Sequence, residues 1–584
     1  MRSRGEKMET GRQNSNGGGY FLEQLRLEHR AERDERSRLY VAPKRVLWES
    51  EGGKCSVKNS GSLLCNKPGQ ISLHGDALCA LSNSGENAAI LLDFGQELHG
   101  GIELSVQKVV GAQQAKLRIR FGESASEAMS ELGGATNATN DHARRDFEVF
   151  VHALSMNPAG ETGFRFVRID LLSENVSVLL KTVKAVLVYR DIPYLGNFRS
   201  NDELLNRIWD VGAYTVHLNM QQYIWDGIKR DHLVWMGDLH PEISSIQTIF
   251  GDQEIIRRSL DFIVAETPPG KWMNDIPSYS MWWIITQYDY FMQFGDREYL
   301  RRQIPYMKQL CQMLSRCIGE DGLDTTPEMR FVDWPTKGDK AAVDTGLQAL
   351  HVLSTRCAMQ IFELFGEEEA RENCARDVEK LRAWKVDIVK AKQSNALAVW
   401  AGLTDAREAN EKSLRVGGAE GLSTFMGYYI LRARAEAGDI ADSLDTIREY
   451  WGGMLKLGAT TFWEDFDVRW LENAAPIDRL PRPGEVDVHG TYGSHCYKGF
   501  RHSLCHGWAS GVTGWLARYV LGIEIVEPGC RKIRIQPNLC GLQWVRGAYP
   551  TPKGVLKVEH RVQENGGIKT VVHAPEGIEV LGKD

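Results

Sequence analysis

The densest polar stretch of this 584-residue chain is YIWDGIKRDHLVWMGDLHPE (223–242). It sets Asp226, Arg230, Asp231, His232, Asp238, His240 and Glu242 among Trp225, Trp235 and Met236. An arginine flanked by carboxylates fixes their geometry and biases which of them holds a proton. Such a set suits general acid–base work, with a salt-bridge network tying two helices together as the alternative. A second cluster, GATTFWEDFD (458–467), places Glu464 beside Trp463. Partial desolvation there raises a carboxyl pKa and suits it to proton transfer, whereas a fully solvated loop glutamate would do no chemistry.

Aromatic residues crowd the remaining loops. KWMNDIPSYSMWW (271–283) carries Trp272, Asp275, Tyr279, Trp282 and Trp283, and RFVDWPTKG (330–338) carries Asp333 and Trp334. Flat apolar faces beside carboxylates fit a sugar ring, whose C–H groups stack while its hydroxyls find polar partners. Trp282 and Trp283 are adjacent, so at least one of them packs inside. His506, in RHSLCHGW (501–508), stands near Trp508 and reads either as a core histidine or as a group that orients a hydroxyl. Other chemistries lack their residues. There is no HExxH, no Cys/His set with zinc spacing and no GxSxG. Glycine-rich pieces such as GGATN and WGGM lack the context and the Lys-Ser/Thr of a phosphate loop. What remains points to glycoside chemistry on a carbohydrate. No cofactor or metal is expected, because the loop carboxylates lack EF-hand spacing.

Loops of this kind need a frame. Residues 1–41 read as a polar lead-in, disordered or helical over 20–38. From 42 to 197, runs such as AKLRIRFGE (115–123) and FRFVRIDLL (164–172) alternate with period two between turn residues, predicting an antiparallel β-sandwich. From 198 to 524 the period becomes helical, opening with Asn201 or Asp202 as N-cap. Helices are expected at 241–265, 280–294, 297–318, 341–365, 367–390, 422–436, 439–457 and 503–521. Pro241 would open the first of these, leaving the charged cluster on a loop. Stacked helix pairs closed into a double-layered α-barrel bury so many amphipathic helices compactly. From 525 to 584, KIRIQPN, GVLKVEHRV and IKTVVHAP predict a small β-domain.

Composition narrows the setting. The chain is 42% hydrophobic and 25% charged, with Lys+Arg 70 against Asp+Glu 77 and net charge -7. With no long basic stripe, nucleic acid is not an expected partner. No run of about 18 apolar residues is present, so no membrane span is expected. The first nineteen residues lack an apolar core, which argues against a secretory signal. Eleven cysteines without a CxxC pair fit a reducing, cytoplasmic setting. The oligomeric state is left open.

The segments DGIKRDHLVWMGDLHPE (226–242), GATTFWE (458–464) and SLCHGW (503–508) together resemble the α-L-rhamnosidases of glycoside hydrolase family 78. DFGQELHGGI (93–102), RIRFGES (118–124) and GFRFVRI (163–169) resemble the sandwich that precedes the barrel in that family. The resemblance runs from about residue 42 to the C-terminus. It implies an (α/α)6 barrel that hydrolyses terminal α-L-rhamnosyl groups with inversion. One carboxylic acid would protonate the leaving oxygen and a carboxylate about 6.5–9.5 Å away would activate water. By motif, Asp231 falls at the general acid and Glu464 at the general base. Asp226, Arg230 and Asp238 match groups that grip hydroxyls or tune the acid, and Trp235, Trp283, Trp334 and His506 match pocket contacts. Asp333, next to Trp334, joins the substrate-binding set.

The chain also departs from that pattern. Many members carry Glu where this chain has Asp231, shorter by about 1.5 Å. The loop is one residue shorter as well, which either brings the backbone closer or weakens activity. His232 stands where the motif often has Arg. Another six-hairpin hydrolase with a different sugar, or a sugar-binding protein without turnover, are the competing expectations.

Overall fold

A computed structural model describes residues 33–73, 77–327 and 329–582, together with Glu23 and Leu25. Most of the expected lead-in, 1–41, lies outside the described residues. Its last part is strand β1 (Ser37–Val41), so the β-region begins a little earlier than residue 42.

The first domain is antiparallel throughout. Its strands are β2 (Arg45–Glu49), β3 (Cys55–Lys58), β4 (Cys79–Asn83), β5 (Ala88–Val110), β6 (Gln114–Gly122), β7 (Asp146–His152), β8 (Ser155–Leu171) and β9 (Val176–Tyr189). They run β3-β4-β9-β5-β8-β6-β7, with β1 added on β9 and β2 on β5. β5 pairs with β2 and β8 through Ile90–Asp93, then with β9 from Gly100 to Val110. The two layers of the sandwich are therefore continuous through their longest strands. Alternation drives this: in β6, Ala115, Leu117, Ile119 and Phe121 are buried, while Gln114, Lys116 and Arg118 are not. The core takes residues from both layers, such as Leu92, Ile119, Ile169 and Leu180, and three from beyond the domain: Leu218, Ile228 and Cys505. A short helix, α1 (Ala125–Met129), follows β6.

The barrel helices are α2 (Glu203–Asn219), α3 (Met236–Phe250), α4 (Glu254–Glu266), α5 (Pro277–Phe294), α6 (Arg297–Ser315), α7 (Lys340–Phe365), α8 (Glu368–Ala383), α9 (Lys392–Ala401), α10 (Ala406–Ala409), α11 (Gly427–Glu436) and α12 (Ala441–Lys456). A loop containing the parallel pair β11 (Ala474–Ala475) and β12 (Val486–Asp487) and helix α13 (Val488–Thr491) leads to the last inner element. That element is a 3-10 turn, Gly507–Gly511, then α14 (Val512–Trp515) and a π turn, Leu516–Val520. α3, α5, α7, α9, α11 and this last element pack each on the next, and the last returns to α3, closing an inner ring. Inner helices are buried nearly all round, as in α3, whereas the outer α4 and α6 keep one wet face.

Three helix expectations are corrected. The segment 241–265 is two helices, parted at Gly251, whose φ of 73° glycine adopts without steric penalty. The first of them starts at Met236, and Pro241 lies inside it. The early start depends on a distant cap: the Met236 N–H donates to Asn274 Oδ1 at 3.0 Å. α9 was not anticipated, because a short helix buried on nearly every side shows no amphipathic stripe.

β10 (Asn197–Ser200) pairs with β15 (Trp544–Thr551) in a sheet continued by β16 (Gly554–Val562) and β17 (Ile568–His573). A smaller sheet joins β13 (Ile523–Glu527), β14 (Lys532–Ile535) and β18 (Glu579–Leu581). The strand before the barrel thus completes the β-domain after it.

Gly163 of β8 marks how closely sandwich and barrel approach. A Cβ there would lie 2.8 Å from Ile228 Cγ1 and 2.9 Å from the Lys229 nitrogen. Gly163→Ala should therefore cost about 1–3 kcal/mol by urea unfolding. Gly53, with nothing near its added Cβ, supplies the neutral control. Equal stability for the two variants would refute a tight contact.

Candidate active site

The segment between α2 and α3 is held from three sides. The Leu233 N–H donates to Asp226 Oδ1 (3.1 Å), the Gly507 N–H donates to the Asp226 carbonyl (2.8 Å), and Ile228 is sunk in the sandwich core. Asp231 and His232 then take left-handed backbone, φ 64° and 55°. For residues with a Cβ this costs about 1–2 kcal/mol each, which the surrounding contacts must offset.

Two cations organise the loop. Lys229 reaches toward the sandwich: its Nζ lies 2.8 Å from Glu127 and 3.3 Å from Glu123, and it donates to the His502 carbonyl at 2.8 Å. Glu123 also accepts from the Leu504 N–H at 2.6 Å. Arg230 turns the other way. Its Nη1 donates to Asp231 Oδ2 (2.7 Å), its Nη2 to both Glu464 oxygens (2.7 and 2.9 Å), and its Nε to the Arg501 carbonyl (2.8 Å). Glu464 is pinned further by the Ser503 N–H at 3.0 Å, while the Trp508 indole donates to its carbonyl at 3.1 Å.

Asp231 and Glu464 thus stand at one end of the barrel on a single guanidinium. Arg230 bridges the two carboxylates directly. His506 lies 3.6 Å from Glu464, 3.8 Å from Asp226 and 3.9 Å from Asp238, with its ring 4.2 Å from that of Trp508. Asp238, in the first turn of α3, accepts from the Tyr279 hydroxyl at 3.2 Å. Asp226, Arg230, Asp231, Asp238, Glu464 and His506 therefore share one cluster.

Burial pushes Asp226, Asp238 and Glu242 well above the usual carboxylate range, and neighbouring carboxylates add to it. Burial works against the charge of Arg230, but Glu464 and Asp231 outweigh it and keep the guanidinium charged. Burial, then Arg230, holds His506 well below the imidazole range. The cluster thus combines a fixed cation, an imidazole whose charged form is disfavoured and carboxyls whose ionisation burial opposes.

An aromatic chain surrounds this group. Trp235 meets Tyr279, Tyr279 meets Phe331, Phe331 meets Trp334, Trp334 meets Tyr497, and Tyr497 meets Trp508. Trp235 and Trp334 are half-buried and stay on this rim. Trp283 does not. It is fully buried, with its ring edge-on to Tyr306 of the outer α6, which corrects its assignment to the pocket wall. Asp333 is also spent on the frame: it accepts from the Trp334 N–H at 2.8 Å and from the Ser423 hydroxyl, and shapes the Trp334 loop. Sequence reasoning missed Lys229 and His142. His142, from the sandwich segment between β6 and β7, comes within ion-pairing reach of Asp231. No local motif signals either contact.

Among the described residues, Glu123, Glu127 and His489 bring one potential metal-ligand atom each within 4.8 Å of one another. The Lys229 ammonium already neutralises that group, so the donor set does not need an ion.

A closed ring of six inner helices behind a β-sandwich, with carboxylates and aromatics at one end, defines a six-hairpin barrel architecture. Residues 193–384 match the bacterial alpha-L-rhamnosidase 6 hairpin glycosidase domain, and 522–581 the bacterial alpha-L-rhamnosidase C-terminal domain. An alpha-L-rhamnosidase of Alteromonas sp. (strain LOR) is 23% identical over 541 residues, 82% of this chain and 54% of that protein. The chain spans about half the length of that relative. Among solved structures, the GH78 rhamnosidase of Bacillus sp. GL1 superposes with TM-score 0.71 at 21% identity, covering 89% of this chain and 55% of its own. A rhamnosidase from Klebsiella oxytoca with rhamnose bound gives 0.65 at 19%, covering 85% and 98%. The resemblance to the family 78 α-L-rhamnosidases therefore holds for the fold and for both matched domains.

Two stability predictions follow from this chemistry. Lys229→Met leaves Glu123 and Glu127 buried without their cation and should cost about 3–5 kcal/mol. Adding Glu127→Gln to it should recover part of that loss, and no recovery would show that the ammonium and this carboxylate do not interact. The second concerns pH. Burial raises Glu123 to about 8, although Lys229 opposes it, and raises Asp333 to about 7. Carboxyls raised above their unfolded values lend stability at low pH that is lost as pH climbs through the folded values. Buried neutral histidines such as His99, His489 and His506, with lowered values, act oppositely but only below their unfolded pKa of about 6.5. Thermal midpoints should therefore fall between about pH 6.5 and 8. A level or rising midpoint over that window would contradict the assignment.

Proposed function

We propose that the chain is an inverting exo-glycosidase that removes terminal α-L-rhamnosyl groups from oligosaccharides or glycosides. The observation that carries this reading is Arg230 joining Asp231 to Glu464 inside an aromatic rim, at the barrel end where inner helix α3 begins. The domain matches and the rhamnose-bound relatives with this fold support the choice of sugar. Asp226 and Asp238 offer hydroxyl partners, and the ring of Trp334 offers a stacking face.

In this mechanism Glu464 is the base. Its carboxylate takes a proton from water, and the oxygen of that water attacks the anomeric carbon. Asp231 is the acid and donates its proton to the departing oxygen, leaving one carboxylate and one carboxylic acid with exchanged roles. Without substrate, Arg230 bonds to both groups. Sugar hydroxyls entering the cluster would draw the guanidinium away and open the gap that the attacking water needs. We place this activity in the cytoplasm, a reading supported by the eleven unpaired cysteines.

A second assignment of the acid has an observation behind it. Burial raises the Asp238 carboxyl well above its ordinary range, whereas Asp231 is ion-paired with Arg230 and lies within reach of His142. The alkaline limb of the pH–rate profile reports the acid and the acidic limb the base. Glu464→Gln and Asp231→Asn should each lower turnover about a hundredfold or more, and Asp231→Asn should abolish the alkaline limb. If Asp238→Asn abolishes it instead, the donor role moves to Asp238. Proton NMR of fresh product should show β-rhamnose before mutarotation. Formation of α-rhamnose first excludes inversion, and no release from any rhamnoside removes the proposal altogether.

A further inference from the structure

Beyond the catalytic cluster, a cleft of about 630 Å³ opens between the sandwich and the catalytic loop, lined by His142, Arg144, Phe147, Gly160, Glu161 and His232. Its size falls within the usual range for small-molecule sites. Two of its lining residues connect it to the chemistry: His142 approaches Asp231, and His232 is the next residue along the chain.

The wall carrying His142 and Arg144 is fixed in advance. Asp141 is ion-paired with Arg501 at 2.8 Å, Asn137 donates to the Lys498 carbonyl at 2.9 Å, and the Phe500 N–H donates to the Thr136 carbonyl at 2.7 Å. The Asn140 side chain accepts from the N–H groups of Arg145 and Asp146 at 3.0 and 3.1 Å. Across the cleft, His232 is held by its stack on Trp225, ring centroids 4.4 Å apart, and by the Ile228 carbonyl at 2.8 Å. Neither Arg144 nor Glu161 has a hydrogen-bond or ion-pair partner among the described residues, although both belong to this ordered lining. Arg144 lies over the Phe147 ring at 5.3 Å.

A cleft that sets an unengaged donor set beside an unengaged acceptor suits a second sugar ring, whose vicinal hydroxyls accept from a guanidinium and donate to a carboxylate. We propose that the cleft seats the sugar on the leaving-group side of the scissile bond, with Arg144 and Glu161 holding its hydroxyls. The sandwich is then part of the specificity apparatus. This inference rests on the rhamnosidase reading, because Asp231 must serve the bond that enters the cleft.

The test compares methyl α-L-rhamnoside, which has no leaving-group sugar, with an α-L-rhamnosyl-glucose disaccharide. Arg144→Ala/Glu161→Ala should lower kcat/KM for the disaccharide about tenfold or more, mainly through KM, and leave the methyl glycoside within about twofold. Equal losses on both substrates, or none on either, overturn the cleft assignment while the hydrolase reading stands. Saturation-transfer NMR with Glu464→Gln and the disaccharide gives a readout independent of turnover. Signal on the glucose ring should vanish when the two cleft residues are also replaced, and its persistence counts against the cleft. Failure of the unaltered chain to hydrolyse either substrate is a separate result, which removes the hydrolase reading and with it the cleft assignment that rests on it.

Discussion

Taking an ammonium and a guanidinium out of water is the constraint around which this molecule is arranged. Lys229 and Arg230 are adjacent and both nearly buried, and each would be prohibitively costly without carboxylates in contact. Their partners come from different places. Glu123 and Glu127 belong to the first domain, Asp231 to the loop itself, and Glu464 to a segment more than two hundred residues away. The two side chains leave the turn on opposite sides, so one cation ties the loop to the sandwich and the other to the carboxylate cluster. The loop cannot move without separating charges on both sides.

The sandwich is accordingly more than an appended module. Ile228 and Cys505 flank the active cluster in sequence, yet their side chains complete the sandwich core. Glu123 then accepts the Leu504 N–H, fixing the strand-like stretch that presents His506 and Ser503, and Ser503 in turn holds Glu464. An apolar core, a buried ion pair and two backbone hydrogen bonds thus transmit the position of the first domain to the carboxylate on the far side. Packing of this density has discrete arrangements rather than gradual ones, so small changes at the seam act on the whole cluster.

Much of this was legible in the residues. Period-two runs marked the sandwich, helical periods marked the outer helices, and the segments around Asp226–Asp238, Glu464 and His506 carried the cluster because each is short and locally dense. Legibility ended where a contact is long-range. The cap of α3 depends on Asn274, the partners of Lys229 lie in another domain, and His142 reaches Asp231 from a turn with no motif of its own. Trp283 shows the reverse limit. Of two adjacent tryptophans, sequence alone does not say which faces a pocket; here both are buried, Trp282 against His240 and Tyr429 and Trp283 against Tyr306.

Arg230 also bears on the aspartate that stands where glutamate is common. A shorter acid on a shorter loop retains its reach only if the backbone advances, and the left-handed conformation at Asp231 and His232 turns the chain sharply at that point. The turn delivers the carboxylate to Arg230 and to His142 together. Arg230 bonds to Asp231 and to Glu464 at once, so the position of each carboxylate depends on the other through one guanidinium, and a change there moves both.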